Sequence, residues 1–309
     1  MKKILFSLVF FITSLLSNEL QEAIDNASEG SIITLSKGEY HGNIVINKAL
    51  VIDGIDKNAK IIGDGKGSVI SIKKSNVVIK NLSIENSGFS VEKIDSAIHA
   101  KEVNNITIEN NHISDSLFGI NFEQVNRSKI VDNFITSKDL ELGIRGDGIR
   151  LWNSHDNQLF ANRLYKSRDF VLWYSSGNNI ENNYGSYNRY SLHFMYAGRN
   201  MVRNNFFEYN SVGIFFMYSS GTIAIGNTVK NSLGAFGVGI GMKDSSDFTL
   251  LENNLIYNPR GLYLDQSPYH PRTVNVFERN NILYNSSGVQ FQVSRERSIF
   301  KENVIKGNI

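Results

Sequence analysis

The sequence predicts an all-β fold, a right-handed parallel β-helix with about 22 residues in each rung. Three observations predict it: an asparagine that recurs along the chain, apolar columns that recur in step with it, and strand-like rather than helical periodicity. Each repeat has short runs rich in Ile, Val and Phe, separated by Asn, Ser and Gly. A unit of this size cannot bury its own apolar face, but stacked units can, so the repeats should form a solenoid.

The recurring asparagine sets the length of the repeat. Five of its eight intervals are 21 or 22 residues, and the other three are 27, 27 and 29. Rungs of a parallel solenoid lie about 4.8 Å apart, so identical polar side chains in register can form a hydrogen-bonded ladder. We therefore expect a structural ladder of Asn111, Asn133, Asn162, Asn183, Asn205, Asn227, Asn254, Asn281 and Asn303.

Alternation along a strand sorts the side chains of each rung into inward and outward columns. Two columns are apolar in every rung and should face the core: Ile98, Ile120, Ile149, Phe170, Leu192, Ile214, Ile240, Leu262 and Val289, and, two residues on, Ala100, Phe122, Leu151, Leu172, Phe194, Phe216, Met242, Leu264 and Phe291. The residues between and after these columns should face out. The right-handed sense follows from the general rule for parallel crossovers.

The N-terminus predicts an export signal over residues 1–17. Lys2 and Lys3 form a charged start, and Ile4 to Leu16 is an apolar run too short for a comfortable membrane span. The alternative is an uncleaved anchor.

The β-helix domain is predicted over residues 18–309. Residues 18–27 predict a short amphipathic helix that caps the exposed first rung, which residues 30–42 begin. The chain stops soon after Asn303 with no obvious cap. We therefore expect either a partner over this end or a longer natural chain.

Charge and cysteine content exclude several function classes. The chain has 32 basic and 30 acidic residues and a formal net charge of +2, which gives no basis for nucleic-acid binding. It has no cysteine, so it forms no disulfide and no thiolate metal site. A metal bound here must be held by His, Met or carboxylate side chains.

An apolar patch is predicted on the outside of four consecutive rungs. One outward column is charged or polar at its ends, but its middle four residues are Trp152, Trp173, Met195 and Met217. Beside them the other outward column holds Val171, His193 and Phe215. Exposed apolar patches of this kind mark partner or ligand sites. The alternative is that the insertion at residues 137–146 covers the patch.

The patch also predicts a copper site. His193 and Met195 share one face of a strand, and Met217 lies one rung further on. Thioether and imidazole ligands suit Cu(I), and the indole of Trp173 can attract a cation. We therefore expect transient Cu(I) binding by His193, Met195 and Met217. The alternative is that these residues form a dry docking surface.

Four motifs resemble the central rungs of the NosD family. They are Gly146-Asp-Gly-Ile-Arg-Leu-Trp152, Val171-Leu-Trp-Tyr-Ser175, Leu192-His-Phe-Met-Tyr196 and Gly213-Ile-Phe-Phe-Met-Tyr-Ser219. The resemblance is dense over residues 145–245 and is a general β-helix similarity elsewhere. It implies a periplasmic protein that supplies copper to nitrous-oxide reductase or assists assembly of its copper–sulfide cluster. The implied partners are the reductase, an ABC transporter with membrane subunit and ATPase, and a copper-donor lipoprotein.

The main alternative is a carbohydrate-active enzyme, since polysaccharide lyases, hydrolases and epimerases also use β-helices. Glycoside hydrolysis generally needs two neighbouring carboxylates. The outward carboxylates Glu123 and Asp265 are predicted six rungs apart. Asp147 beside Arg150 is the nearest polar cluster, and a turn residue ahead of the strand is the simpler interpretation. A third class, an inert adhesin or spacer, would not explain the Trp-Met patch.

Overall fold

The computed structural model describes residues 9–12, 19–55, 57–293 and 297–309. The chain forms a right-handed parallel β-solenoid of about 12 turns with about 22 residues per turn, as predicted. Each rung contributes one strand to each of three parallel sheets, named A, B and C in chain order. Among the described residues, sheet A has 13 strands, sheet B has 12 and sheet C has 11.

Sheet A comprises β1 Val9–Ile12, β2 Ile32–Leu35, β5 Val51–Gly54, β8 Val78–Lys80, β11 Thr107–Glu109, β14 Lys129–Val131, β17 Gln158–Phe160, β20 Asn179–Glu181, β23 Met201–Arg203, β26 Ile223–Ile225, β29 Thr249–Leu251, β32 Asn275–Glu278 and β35 Ser298–Lys301. Sheet B comprises β3 Gly38–His41, β6 Ala59–Ile62, β9 Ser83–Glu85, β12 His112–Ser116, β15 Phe134–Ser137, β18 Arg163–Tyr165, β21 Tyr184–Ser186, β24 Phe206–Glu208, β27 Thr228–Lys230, β30 Asn254–Ile256, β33 Asn281–Leu283 and β36 Val304–Lys306. Sheet C comprises β4 Ile44–Ile46, β7 Ile70–Ile72, β10 Ser96–Lys101, β13 Phe118–Glu123, β16 Ile149–Trp152, β19 Asp169–Trp173, β22 Tyr190–Met195, β25 Val212–Met217, β28 Val238–Lys243, β31 Arg260–Asp265 and β34 Ser287–Phe291.

The predicted cap is helix α1, Glu19–Asn26. Its apolar face buries Leu20 and Ile24 against the first rungs. The Gln21 side chain accepts a hydrogen bond from the backbone N–H of Val45 at 2.7 Å and donates one to its carbonyl at 3.1 Å. The helix therefore satisfies the edge of β4, which would otherwise expose unpaired backbone groups.

The predicted export signal, residues 1–17, lies outside the described residues except for β1. That strand pairs in parallel register with β2. No helix in the described part of the chain is long and apolar enough to cross a bilayer.

The two inward columns form the core of the solenoid, as the alternation predicts. Pairing registers align them rung by rung, and their members are almost fully buried from Ile98 and Ala100 to Leu262 and Leu264. The final rung differs, because Val289 is only partly buried and Phe291 is 44% exposed.

The asparagine ladder runs along one corner of the solenoid, and two of its predicted members are wrong. In each step, the side-chain oxygen of one Asn accepts two hydrogen bonds from the Asn one rung earlier, one from its backbone N–H and one from its side-chain amide. Asn183, for example, accepts both from Asn162, at 2.9 and 3.0 Å. The ladder comprises Asn111, Asn133, Asn162, Asn183, Asn205, Asn227, Asn253, Asn280 and Asn303.

The two errors, Asn254 and Asn281, are each one residue beyond the true ladder position. Both residues begin strands of sheet B and are partly exposed, and the Asn281 amide donates to the Asn254 side chain at 2.9 Å. The ladder position follows a residue with positive φ, here Glu252 and Arg279, so the preceding corner and not the strand determines which Asn is buried.

Candidate functional site

The predicted patch lies on the outer face of sheet C, on β16, β19, β22 and β25. The column of Trp152, Trp173, Met195 and Met217 is in register and partly exposed. Val171, His193 and Phe215 form the neighbouring column outside the solenoid, also in register. These three side chains are only 4%, 8% and 7% exposed, so the expectation that they lie open to solvent is wrong.

Tyr190, at the start of β22, helps to bury this column. Its ring stacks on the His193 imidazole, with centroids 4.5 Å apart and planes 16° from parallel. Its ring also meets Phe215 edge-on at 5.9 Å, and the two pack with Val212 and Met217 in a small hydrophobic cluster outside the main core. The site is therefore a partly covered cleft with His193 beneath an aromatic ring.

His193 lies between a carboxylate and a thioether. Its Nδ1 is 3.3 Å from Oδ2 of Asp169, and its Nε2 is 3.5 Å from Sδ of Met217. When the imidazole is neutral and Nδ1–H donates to the ionised carboxylate, the lone pair of Nε2 faces the sulfur. The structure therefore places a nitrogen atom and a sulfur atom that can both act as ligands 3.5 Å apart.

Asp169 is itself held in place by hydrogen bonds. Nε of Arg189 donates to its Oδ1 at 2.9 Å, a second guanidinium nitrogen donates to its Oδ2, and the backbone N–H of Tyr190 donates at 3.3 Å. Burial alone would raise the pKa of Asp169, but hydrogen bonds from His193 and Arg189 outweigh it and the pKa is lowered. Asp169 is therefore a charged and oriented partner for His193.

A β-bulge helps to bring these groups together. Asp169 pairs with Tyr190, but Val171 pairs with His193, so β22 carries one extra residue between the two pairs. Bulges redirect side chains and are frequent beside functional sites. Here the bulge lies on the two strands that supply Asp169 and His193.

A cavity of about 120 Å³ adjoins this group and contains a second buried carboxylate, Asp147. Trp173 and Met195 line the same cavity, with Arg168 and Arg189. Burial, and then repulsion from Asp169, raise the pKa of Asp147 to about 7. The sequence interpretation of Asp147 as a simple turn residue therefore missed its place in the site.

The donor set fits a soft monovalent cation better than a hard divalent one. In the described residues no group of three or more His, Cys, Asp or Glu side chains is arranged to hold a metal. The close pair is instead the imidazole and thioether of His193 and Met217, which Cu(I) accepts.

The sequence model for the family described as periplasmic copper-binding protein (NosD) matches residues 135–309, more than half of the chain. The chain belongs to the NosD family. The matched part contains every residue of the site above. Family membership therefore supports a periplasmic, copper-related role, in agreement with the donor set.

Other similarities are narrower or concern the fold alone. Over 106 residues, the chain is 32% identical to a cell surface glycoprotein of Methanothermus fervidus, a match spanning 34% of this chain and 17% of that protein. The mannuronan C-5 epimerase AlgE6 A-module of Azotobacter vinelandii superposes with a TM-score of 0.72 at 14% identity, over 93% of this chain and 94% of that one. An alginate lyase of Paenibacillus sp. gives 0.69 at 15% identity, over 83% and 99%.

The structure places the predicted site residues on one outer face of sheet C, but only some of them beside His193. His193 and Met217 are in contact, and Met195 is one rung from Met217 and lines the cavity beside Trp173. Trp152 lies further along the face, 5.1 Å from the Trp173 ring. The indole Nε1 of Trp173 is buried without a hydrogen-bond partner among the described residues.

The insertion at residues 137–146 begins with contacts that Lys138 makes away from the site. The Lys138 ammonium bonds to the backbone and carboxylate of Asp115 and lies 4.3 Å above the Phe89 ring. These contacts belong to rungs N-terminal to the patch. Tyr190, and not this insertion, is the side chain that covers His193.

Sequence reasoning also missed an exposed tyrosine ladder beside the site. Tyr174, Tyr196 and Tyr218 each follow a residue of the Trp-Met column, have positive φ, and stack at 5.2 and 4.8 Å. The same left-handed conformation recurs at corners elsewhere in the solenoid, as at Tyr187 and Tyr209, so it belongs to the fold and not to this site alone. The only sequence signal was the repeated dipeptide, Trp-Tyr once and Met-Tyr twice.

Proposed function

We propose that this NosD-family protein is an exported accessory factor that binds Cu(I) transiently and passes it on during maturation of nitrous-oxide reductase. The observation that carries the proposal is the placement of His193 between Asp169 and Met217. Copper is the cargo in this proposal and keeps its oxidation state.

His193, Met217 and Met195 would be the copper ligands. Carboxylate–histidine–metal arrangements fix the imidazole tautomer and raise its basicity, and Asp169 would have this role here. Met195 is the next thioether in register with Met217, and methionine side chains are flexible enough to converge on one ion. Trp173 would pack beside the ion, where an indole face stabilises a cation. Neutral thioether ligands exchange readily, which suits a relay.

The partners implied by the family resemblance would dock on the aromatic surface next to these ligands. Trp152 and Trp173 and the tyrosine ladder are partly or largely exposed there, and Trp and Tyr are enriched at interface hot spots. We expect Trp173→Glu to abolish capture of the transporter or the reductase, because it places a charge within the patch. Unchanged capture of both partners would remove this surface from the proposal.

Anaerobic Cu(I) titration against a competing chelator tests the copper site. Met195→Leu with Met217→Leu nearly preserves volume and apolarity but removes both sulfurs. We expect Cu(I) affinity to fall about tenfold or more. Loss of a residue that only supports a ligand costs at least about tenfold in metal affinity, and loss of the ligands themselves should cost no less. Met201→Leu, which changes a methionine of sheet A, is the matched control and should bind as the parent does.

The outcome also separates copper relay from docking alone. A double variant that captures its partners but holds no copper supports the relay. A double variant that binds Cu(I) like the parent and still matures the reductase places the copper site elsewhere.

One observation favours the alternative of a carbohydrate-active enzyme. Asp147 and Asp169 form a buried carboxylate pair whose pKa values are displaced in opposite directions, as in acid–base catalysis. The cavity beside them is about 120 Å³, smaller than ligand pockets of roughly 300 Å³ or more. Incubation with polyuronates, with Asp147→Asn as the control, tests this alternative. Chain cleavage or epimerisation that Asp147→Asn abolishes would establish an enzyme.

A further inference from the structure

A groove on the outer face of sheet B is independent of the copper site. It has a volume of about 570 Å³ and lies on β15, β18 and β21. Phe134, Arg163, Tyr165, Tyr184 and Tyr187 contribute to its walls. A second cavity of about 240 Å³ adjoins it at Phe134 and Arg163. Together they have the size of a small-molecule site, and the larger one falls within the usual range of roughly 300–1,000 Å³.

The groove exists because a column of stacked rings is interrupted. His112 and Phe134 lie in contact at 5.0 Å on one side, and Tyr184 and Phe206 stack at 6.0 Å on the other. Pairing registers place Arg163 between Phe134 and Tyr184 in the same column. Two rungs of about 4.8 Å separate Phe134 from Tyr184, and the exposed side chain of Arg163 stands between them. The two rings and the guanidinium therefore line one groove.

The polar groups of the groove favour an anionic ligand. Arg163 is exposed and forms no ion pair within the described part of the chain. Lys57 lines the adjoining cavity and adds a second positive charge, against the single carboxylate of Asp132. A guanidinium binds a carboxylate through two parallel hydrogen bonds. The ring of Tyr184 is held by a hydrogen bond from its hydroxyl to Glu208 at 2.9 Å, so this wall is preformed.

We propose that this groove binds a carboxylated sugar residue of a glycan. An apolar face of the pyranose packs on the ring of Tyr184, and its carboxylate pairs with Arg163. The edge-to-face contact of Tyr165 and Tyr187, 5.7 Å apart, closes one side. No bond is made or broken in this site, so the groove anchors a glycan and does not process it.

Titration calorimetry with trigalacturonate as the probe tests the proposal, with maltotriose as the neutral comparison. We expect saturable binding of trigalacturonate and much weaker binding of maltotriose. Arg163→Gln should weaken trigalacturonate binding about tenfold or more, because it removes a charge-assisted pair. Tyr184→Ala should weaken the binding of both sugars through the lost stacking face. Tyr257→Ala, which changes an exposed stacked tyrosine three rungs further along, is the matched control and should bind normally.

Three outcomes would overturn the assignment. The first is no saturable binding of trigalacturonate at millimolar concentration. The second is binding that Arg163→Gln and Tyr184→Ala both leave unchanged. The third is maltotriose binding as tight as that of trigalacturonate. Arg163 lies at the surface, so Arg163→Gln keeps the test valid if Tyr184→Ala fails to fold. Met217→Leu should leave sugar binding unchanged, which separates this proposal from the copper site.

Discussion

The outer column of sheet C differs sharply between the central rungs and the rungs that flank them. In the flanking rungs it holds ion pairs in register, Lys101 with Glu123 and Lys243 with Asp265, each 3.3 Å apart. In the four central rungs the same column holds Trp152, Trp173, Met195 and Met217. Both regions share parallel strand pairing and buried inward columns, and the central rungs differ by the β-bulge between β19 and β22. The solenoid is therefore a common scaffold, and the outward side chains decide where chemistry occurs.

The largest expected effect tests whether the scaffold is shared. Phe194 in a central rung and Phe122 in a flanking rung are both fully buried in one inward column. Replacement of either by Ala should lower the free energy of unfolding by about 3–5 kcal/mol, since each leaves a cavity in the core. Urea denaturation of the two variants measures this. A central variant that loses far less stability would show that the central rungs are not supported by the same core.

The next effect distinguishes the two regions by their carboxylates. Asp169→Asn removes the charge that orients His193, so Cu(I) affinity should fall roughly 10- to 100-fold, as for loss of an outer-shell partner. Asp265→Asn in a flanking rung should leave Cu(I) affinity unchanged. Competition titration compares the two variants. If Asp169→Asn binds Cu(I) as tightly as the parent does, Asp169 does not position His193 for copper binding.

Asp147 should make the stability of the central rungs depend on pH. Its pKa is about 7 in the folded protein, above the ordinary value of 3.8. Between these values the folded state binds more protons than the unfolded state, so stability decreases as pH rises. The slope should be at most about 1.4 kcal/mol per pH unit and should level off above the folded pKa.

Asp147→Asn should lack this component of the pH dependence. Subtraction of the two stability profiles, measured by urea denaturation from pH 4 to pH 8, isolates it. Parallel profiles for parent and variant would contradict a protonated Asp147 in the folded state.

The smallest effect belongs to the flanking ion pairs. Lys243 is 38% exposed and its partner Asp265 is 17% exposed, so solvent screens their attraction. Lys243→Gln should change the free energy of unfolding by at most about 1 kcal/mol and leave Cu(I) affinity as in the parent. A marked loss of copper affinity would extend the functional region beyond the four central rungs.

Much of the scaffold follows from the sequence because its determinants are local and periodic. Alternation was enough to identify both inward columns from Ile98 to Leu264, and the helical spacing of Leu20 and Ile24 was enough for the cap. The ladder prediction was wrong at Asn254 and Asn281, where two asparagines are adjacent. Spacing does not choose between neighbours, whereas hydrogen bonding at the corner selects Asn253 and Asn280.

The site was only partly predictable because several of its members lie outside the repeat alignment. His193, Met195 and Met217 occupy aligned strand positions, so alternation predicts the outward columns in which they lie. The bulge precedes the aligned columns, and Asp169, Arg189 and Tyr190 lie at it. Repeat spacing therefore does not predict the position of these three side chains. Two further features depend on contacts in three dimensions: the burial of His193 under Tyr190 and the raised pKa of Asp147. Alternation along a strand does not predict such contacts.

Copper K-edge X-ray absorption of the Cu(I)-loaded protein tests the central claim most directly. The chain has five methionines, and two of them are the proposed copper ligands together with His193. We expect a sulfur shell at about 2.3 Å and a nitrogen shell at about 2.0 Å in the parent and in Met201→Leu. The sulfur shell should vanish in the Met195→Leu, Met217→Leu double variant. A parent spectrum with only oxygen and nitrogen neighbours, or a sulfur shell that persists in the double variant, would contradict it.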